Sequence, residues 1–230
     1  MTTVALYSTN YFGYEPPRPQ ASPITVLTNE THPIGLTDPR LKVDWWDPKD
    51  DRLWGRLCAS WWGHHPDLAV PDADVTVCIG GNFTTNVPDL AERCLDELGD
   101  DDMLLLKHPW RDDIADEAGA SQDNYKWTDA RQDMAGQVQS YLDAGHPRRW
   151  GLFHGGMVVR RDTPAMRAFN DAWWVEIQRW SCQDQLSLPY LLRTSGIKWH
   201  TWLDVGVWRA LPFEEGWVQW GELGRRPVAA

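Results

Sequence analysis

The strongest constraint on this chain is the spacing of its apolar residues: short β-branched runs alternate with longer stripes at helical period along its length. A strand sends successive side chains to opposite faces, whereas a helix returns to one face every three or four residues, so the two spacings demand different partners. Their alternation predicts an α/β fold, a central mixed and mostly parallel sheet flanked by helices. No break in composition and no internal repeat divides the chain. One domain is therefore expected over 1–213, followed by a loosely structured tail over 214–230.

The expected strands are Val4 to Thr9, Pro23 to Leu27, Leu41 to Val43, Asp74 to Ile79, Met103 to Leu106, Leu152 to Val159 and Ile197 to Leu203. Asp74 to Ile79 is rich in β-branched residues and stops at Gly80-Gly81-Asn82, which should lie at the carboxyl edge of the sheet. Between strands, Pro88 opens a helix with Leu90, Ala91, Cys94, Leu95 and Leu98 on one stripe and Gly99 as its stop. An acidic helix begins near Arg111, and Thr128 can cap a helix carrying Met134, Val138, Tyr141 and Leu142 inward. Thr163 and Pro164 form an N-cap and first-turn pair before Met166, Phe169, Trp173, Ile177 and Trp180. A last helix covers Gln183 to Leu192, with Pro189 as a kink or first-turn residue.

Charge narrows the partners. The chain has 22 Lys plus Arg against 33 Asp plus Glu, a formal charge of −11, which repels a phosphate backbone and disfavours a broad nucleic-acid groove. Asp96, Glu97, Asp100, Asp101 and Asp102 read as a solvated turn. Cys58, Cys78, Cys94 and Cys182 have no Cys-x-x-Cys spacing, so reduced thiols are expected. No window approaches the roughly 18 continuous apolar residues of a membrane span, and no basic leader opens the chain, so a soluble cytoplasmic protein is expected. The 16 tryptophans include the pairs Trp45-Trp46, Trp61-Trp62 and Trp173-Trp174. Neighbouring side chains diverge in regular elements, so some of these indoles should line a pocket or interface, with a weak tilt toward carbohydrate.

Several polar groups fall just past strand ends. Gly80-Gly81-Asn82 would let backbone amides approach a phosphate or sugar, although a tight turn needs the same residues. His154-Gly155-Gly156 leaves an imidazole with little local cover. Asp184, at a helix start, has either a capping or a chemical role. Lys107, His108 and Arg111 form a cationic group suited to a diphosphate or to pairing with nearby carboxylates, and Arg52 and Arg56 are four apart on a helix. Arg148-Arg149 and Arg160-Arg161 read as a charged rim. No Gly-x-Ser-x-Gly, His-Glu-x-x-His or clustered Cys-His zinc pattern occurs, which leaves the common hydrolase and zinc routes unsupported and transferases open.

The run Gly151-Leu152-Phe153-His154-Gly155-Gly156-Met157-Val158-Val159-Arg160-Arg161 is followed by Phe169, Trp173-Trp174, Glu176, and Ser181-Cys182-Gln183-Asp184-Gln185-Leu186-Ser187 with Pro189-Tyr190. With Tyr7-Ser8-Thr9, Val26-Leu27-Thr28-Asn29 and Lys107-His108-Pro109 ahead of Arg111-Asp112 and Glu117, this order resembles a family of uncharacterised glycosyltransferase-like proteins of plants and bacteria. That family includes plant proteins tied to mucilage synthesis and turgor control, and the resemblance covers nearly the whole chain. It implies a GT-A-like nucleotide-diphospho-sugar transferase domain. The implied donor is a nucleotide sugar, UDP-sugar first; the implied acceptor is a hydroxyl on a carbohydrate, protein or small molecule.

On that resemblance Tyr7, Thr9 and Asn29 border the base or ribose, and Gly80, Gly81 and Asn82 admit the diphosphate-sugar. His154, Gly155, Gly156 and Gln185 shape the sugar and acceptor side, while Lys107, Arg111 and Arg56 compensate the leaving diphosphate. Asp184 is the expected general base if configuration inverts, and an orienting group if it is retained. The family has Ile-Asp-Gly-Asn where this chain has Ile79-Gly80-Gly81-Asn82. The missing carboxylate removes the natural ligand of a Mn or Mg ion, which puts metal dependence in doubt and leaves a divalent ion open. Two alternatives remain open: a non-catalytic carbohydrate-binding protein on the same fold, or a phage-type transferase acting on hydroxylated DNA bases through a channel of Arg148, Arg149, Arg160 and Arg161.

Overall fold

Alternation along the strands divides the apolar residues between two packed layers. The computed structural model describes residues 2–11, 18–35, 38–43, 54–122, 132–202, 208–209 and 218–220. Its strands are Val4–Thr9 (β1), Thr25–Leu27 (β2), Val75–Ile79 (β3), Phe83–Thr85 (β4), Met103–Lys107 (β5), Phe153–Arg161 (β6), Trp199–Thr201 (β7), Trp208–Arg209 (β8) and Val218–Trp220 (β9). Its helices are Trp54–His64 (α1), Pro66–Ala69 (α2), Leu90–Leu98 (α3), Ile114–Gln122 (α4), Met134–Asp143 (α5), Pro164–Arg179 (α6) and Asp184–Ser195 (α7).

The main sheet runs β2-β1-β3-β6-β5-β7; β6 is antiparallel to both its neighbours and the other pairings are parallel. Leu104 and Leu106 of β5, with Val77 and Val159, pack on Leu90, Cys94 and Leu98 of α3. Met103 and Leu105, one residue out of phase, join Tyr7 and Val158 against α1, α6 and α7. Burial on both faces explains why β5 reads Met-Leu-Leu-Leu without polar alternation. The result is the expected architecture, a mixed and mostly parallel sheet flanked by helices.

Thr163 caps α6 as expected, its side chain accepting from Met166 N at 3.1 Å. Gly99 ends α3 with a positive φ of 53°, which glycine adopts without the steric cost of a Cβ. Four expectations are corrected. Leu41 to Val43 is no strand, because Asp38 and Pro39 wind Pro39–Leu41 into a 3-10 turn, with the Asp38 carboxylate accepting from Arg40 N. Thr128 lies outside the described residues, and α5 is capped by Asp133, which accepts from Gly136 N at 2.8 Å. The acidic helix starts at Ile114 rather than near Arg111, since Asp113 is spent on Ala115 N and Arg149 N. Within the tail expected to be loose from Glu214, Val218–Trp220 instead pairs antiparallel with β4, and β8 runs parallel beside it.

The tryptophan pairs meet the expectation in part: Trp173, though buried, borders the cavity described below. Trp61, Trp62, Trp173 and Trp174 are all buried, because each pair falls within one wide buried stripe of its helix, Leu57, Cys58, Trp61 and Trp62 on α1 and Phe169, Asn170, Trp173, Trp174 and Ile177 on α6. Trp61 stacks on His65 and meets Trp174 edge-on, while Trp174 Nε1 donates to Arg40 O at 3.1 Å. Adjacent indoles still diverge, but both directions lead into packed layers. Trp45 and Trp46 lie outside the described residues.

Candidate active site

The strand directions place one cavity. Thr9 ends β1, Ile79 ends β3 and Lys107 ends β5, while antiparallel β6 begins at the same edge, with Met157 opposite Ile79 and Phe153 opposite Lys107. Open α/β sheets bind ligands at this carboxyl edge, where strand order or direction changes. Here it holds a cavity of about 390 Å³, bordered among the described residues by β1, β3, β6, α1, α4 and the start of α7.

A register shift shapes its centre. Leu105 is opposite Val158 and Leu106 is opposite His154, so Gly155, Gly156 and Met157 bulge out of the β5–β6 ladder. Gly156 O accepts from Gly80 N at 2.8 Å, tying this bulge to the turn after β3. The approach is close: a Cβ on Gly80 would stand 3.2 Å from Asn82 Oδ1, and one on Gly156 would collide with the Phe83 ring. Close packing thus explains Gly80 and Gly156, and both glycine pairs line the cavity.

Asp184 occupies the first turn of α7 and faces Gly155; a Cβ there would be 3.1 Å from its Oδ2. Burial raises the pKa of its carboxyl, opposed by the positive charge of Arg56 and by the Gln185 amide, and supported by the negative charge of Glu117. A carboxylate so placed is a stronger base than an exposed one. Two glutamines hold the helix start in place. Gln185 Nε2 donates to Phe153 O at 3.0 Å, and Gln183 Nε2 donates to Glu117 Oε1 at 2.7 Å and Ser121 Oγ at 2.9 Å. Glu117, 4% exposed, also accepts from Arg111 Nε.

Two histidines line the cavity as neutral donors. His108 Nδ1 accepts from Arg111 N at 3.0 Å, and His154 Nδ1 accepts from Gly156 N at 3.0 Å, so each Nε2 carries the proton. Burial pushes His108 down to about 4 and His154 down to about 3. His64, at the end of α1, is the opposite tautomer: its Nδ1 donates to Ser60 O at 2.6 Å, and burial holds it near about 3.

Of the residues expected at the site, Thr9, Arg56, Gly80, Gly81, Asn82, Arg111, His154, Gly155, Gly156, Asp184 and Gln185 line this one cavity. Three do not. Tyr7 is fully buried beneath the floor, its hydroxyl donating to Trp62 O at 3.2 Å, because its position on β1 faces the helical layer. Asn29 is exposed on the turn beyond β2, and Lys107 is exposed at the end of β5. The cationic trio is therefore dispersed: Lys107 is exposed and does not line the cavity, His108 is neutral, and Arg111 is paired to Glu117. Arg52 lies outside the described residues.

Arg160 was expected on a charged rim, yet it is 1% exposed and borders the cavity from below. Its guanidinium donates to Asn170 Oδ1 at 3.1 Å, the Tyr7 hydroxyl at 3.3 Å and Gly63 O at 2.5 Å, all neutral acceptors. No carboxylate pairs with it among the described residues. Strand alternation explains the miss: Arg161, the next residue, faces the far end of the sheet, donating to Gly99 O at 2.6 Å. Arg148 pairs with Asp113 in a separate loop. The four arginines thus form no common channel. His64, Glu117, Gln183 and Trp110 also line the cavity without having been expected there.

A divalent ion does not fit the residues present at the turn after β3. Gly80, Gly81 and Asn82 supply no carboxylate, and no group of three or more His, Cys, Asp or Glu side chains able to hold a metal occurs among the described residues. No helix among them is long and apolar enough to cross a membrane.

No family model matches the chain and no curated protein matches it in sequence, so the resemblance to the plant and bacterial family rests on the spaced motifs alone. Among solved structures, apo mouse xyloside xylosyltransferase 1 aligns with a TM-score of 0.49 at 10% identity, over 87% of this chain and 75% of that one. The apo WbbM bifunctional glycosyltransferase aligns with a TM-score of 0.49 at 12% identity, over 90% of this chain and 40% of that one.

Proposed function

We propose that the chain is a glycosyltransferase that moves a sugar from a nucleotide-diphosphate donor, UDP-sugar first, to an acceptor hydroxyl. The observation that carries this reading is the pairing, in one cavity, of a buried guanidinium without a carboxylate and a buried carboxylate of raised basicity. Arg160, with Arg56 at the same cavity, supplies positive charge that a chain of net charge −11 would otherwise lack, and a diphosphate leaving group needs it. Glu117 is committed to Arg111, Ser121 and Gln183. Asp184 is then the carboxylate at hand to take the acceptor proton.

In the proposed step the acceptor oxygen attacks the anomeric carbon as its proton passes to Asp184. The bond from that carbon to the diphosphate oxygen breaks, and the nucleoside diphosphate leaves with the electron pair. His108 and His154 contribute neutral N–H donors without adding charge that would suppress the base. Direct displacement inverts the anomeric centre. Kinship with the plant and bacterial family is part of the same proposal and rests on the motif order from Gly151 to Tyr190.

The test is a panel of UDP-, GDP- and dTDP-sugars scored by thermal shift, followed by turnover with the donor that stabilises and NMR of the product anomer. A UDP-sugar should raise Tm, and Asp184→Asn should keep that shift while losing transfer. Absence of stabilisation by every nucleotide sugar would remove the reading.

A further inference from the structure

Trp110 has an unusual position for a large apolar side chain. It is 58% exposed, more than any other large hydrophobic among the described residues, and it lines the cavity whose inner end holds Arg160 and Trp173 at 1% and 2% exposure. Its backbone is fixed: Trp110 N donates to His108 Nδ1 at 3.3 Å, and the indole meets the buried His108 ring edge-on at 5.8 Å. The ring is thus held at the rim by a rigid neighbour. Val26, Leu68 and Val175, the other exposed large apolar residues, lie on β2, α2 and α6 away from the cavity. Lys107, Pro109 and Asp112, neighbours of Trp110 in sequence, are exposed as well.

We infer that Trp110 is the acceptor platform, and that the acceptor is a pyranose sugar whose C–H face stacks on the indole. This rests on the transferase reading above. Strand order separates the donor from the acceptor: Thr9 and Gly80 belong to the β1–β3 side, Asp184 faces the β6 bulge, and Trp110 follows β5 on the opposite side of β6. A nucleotide sugar laid from β1 toward β6 brings its anomeric carbon to Asp184 and fills a cavity of about 390 Å³. The acceptor must then enter from the β5 side, across Trp110. A flat apolar face beside hydrogen-bonding groups is what a sugar ring, apolar on its faces and polar at its edge, recognises. The net charge of −11 argues against an anionic polymer there.

The experiment is saturation-transfer NMR with methyl β-D-glucopyranoside, methyl β-D-galactopyranoside and methyl β-D-xylopyranoside on the wild-type chain, Trp110→Ala and Trp110→Phe, each with and without UDP. The expected result is saturation of the ring C–H protons of at least one glycoside, binding about tenfold weaker in Trp110→Ala and largely kept in Trp110→Phe. The UDP-induced thermal shift should be the same in all three proteins. The inference is overturned by glycoside signals that survive in Trp110→Ala unchanged, by no glycoside signal in the wild type, or by a UDP shift that falls in Trp110→Ala, which would give the indole to the nucleobase. Failure of the transferase reading is a separate outcome, a wild-type chain that no nucleotide stabilises.

Discussion

A methyl group added at Gly155 would sit 3.1 Å from Asp184 Oδ2, closer than ordinary van der Waals contact, while the backbone there needs no positive φ. Gly155→Ala should therefore displace the carboxylate without unfolding the chain: kcat falls by at least tenfold and Tm moves by no more than a few degrees. A parallel loss of Tm would show that the glycine serves the fold instead. The pH profile follows from the same carboxylate. Burial raises its pKa, so it accepts a proton only above that raised value. The acid limb of kcat/KM should lie above the ordinary aspartate value of about 3.9.

The buried histidines set a second pH dependence, in stability. His64 is 4% exposed and held neutral down to about 3, against about 6.5 when unfolded. The unfolded state binds the proton first, so stability is complete above about 6.5 and falls as pH drops toward 3, by about 2 kcal/mol at pH 5 for this residue alone. Urea unfolding of the wild type and His64→Gln at pH 7 and pH 5 measures it, and the variant should lose less between the two. Residues are also where the sequence was least legible. Arg160 and Arg161 are chemically identical neighbours, and only the strand register buries one against Asn170 and turns the other toward Gly99. Tyr7 failed for the same reason, its face being decided by the sheet.

At the scale of elements the sequence was most legible where local chemistry and tertiary packing agree. Thr163-Pro164 announced α6 because a hydroxyl cap and a fixed φ favour a helix start whatever lies beyond. Thr163→Ala should cost about 1 kcal/mol in urea unfolding by leaving Met166 N unbonded. The Leu41 to Val43 expectation failed because three residues are a weak strand signal beside the Asp38 carboxylate, which accepts from Arg40 N and fixes a turn. α1 was harder to read: the side opposite Leu57, Cys58, Trp61 and Trp62 is half-buried rather than exposed, and a helix covered all round loses the polar stripe that marks an amphipathic one. The glycine pairs were visible, but their reason was not. That Gly80 and Gly156 touch through their backbones depends on a bulge between strands far apart in sequence.

Across the whole molecule, the net charge of −11 means that any anionic ligand is drawn in by local charge against an opposing field. Two arrangements can neutralise a diphosphate at such an edge, a divalent ion held by carboxylates or guanidinium groups acting directly. The turn after β3 offers no carboxylate, whereas Arg56 and Arg160 both line the cavity. Arg160 matters most, because its charge is already desolvated and faces only neutral acceptors, so an arriving oxyanion gains attraction that bulk water does not screen away. Nucleotide-sugar stabilisation should then persist in EDTA and gain nothing from manganese. Salt should discriminate as well. Contacts at the exposed rim weaken over a Debye length of about 8 Å at physiological ionic strength, but a buried guanidinium is shielded from mobile ions. Raising NaCl from 0.1 to 0.5 M should weaken UDP binding by less than tenfold in isothermal titration, with the same midpoint in EDTA. A Tm gain that appears only with manganese would mean that residues outside the described set complete a metal site, and the guanidinium account of the donor would fall.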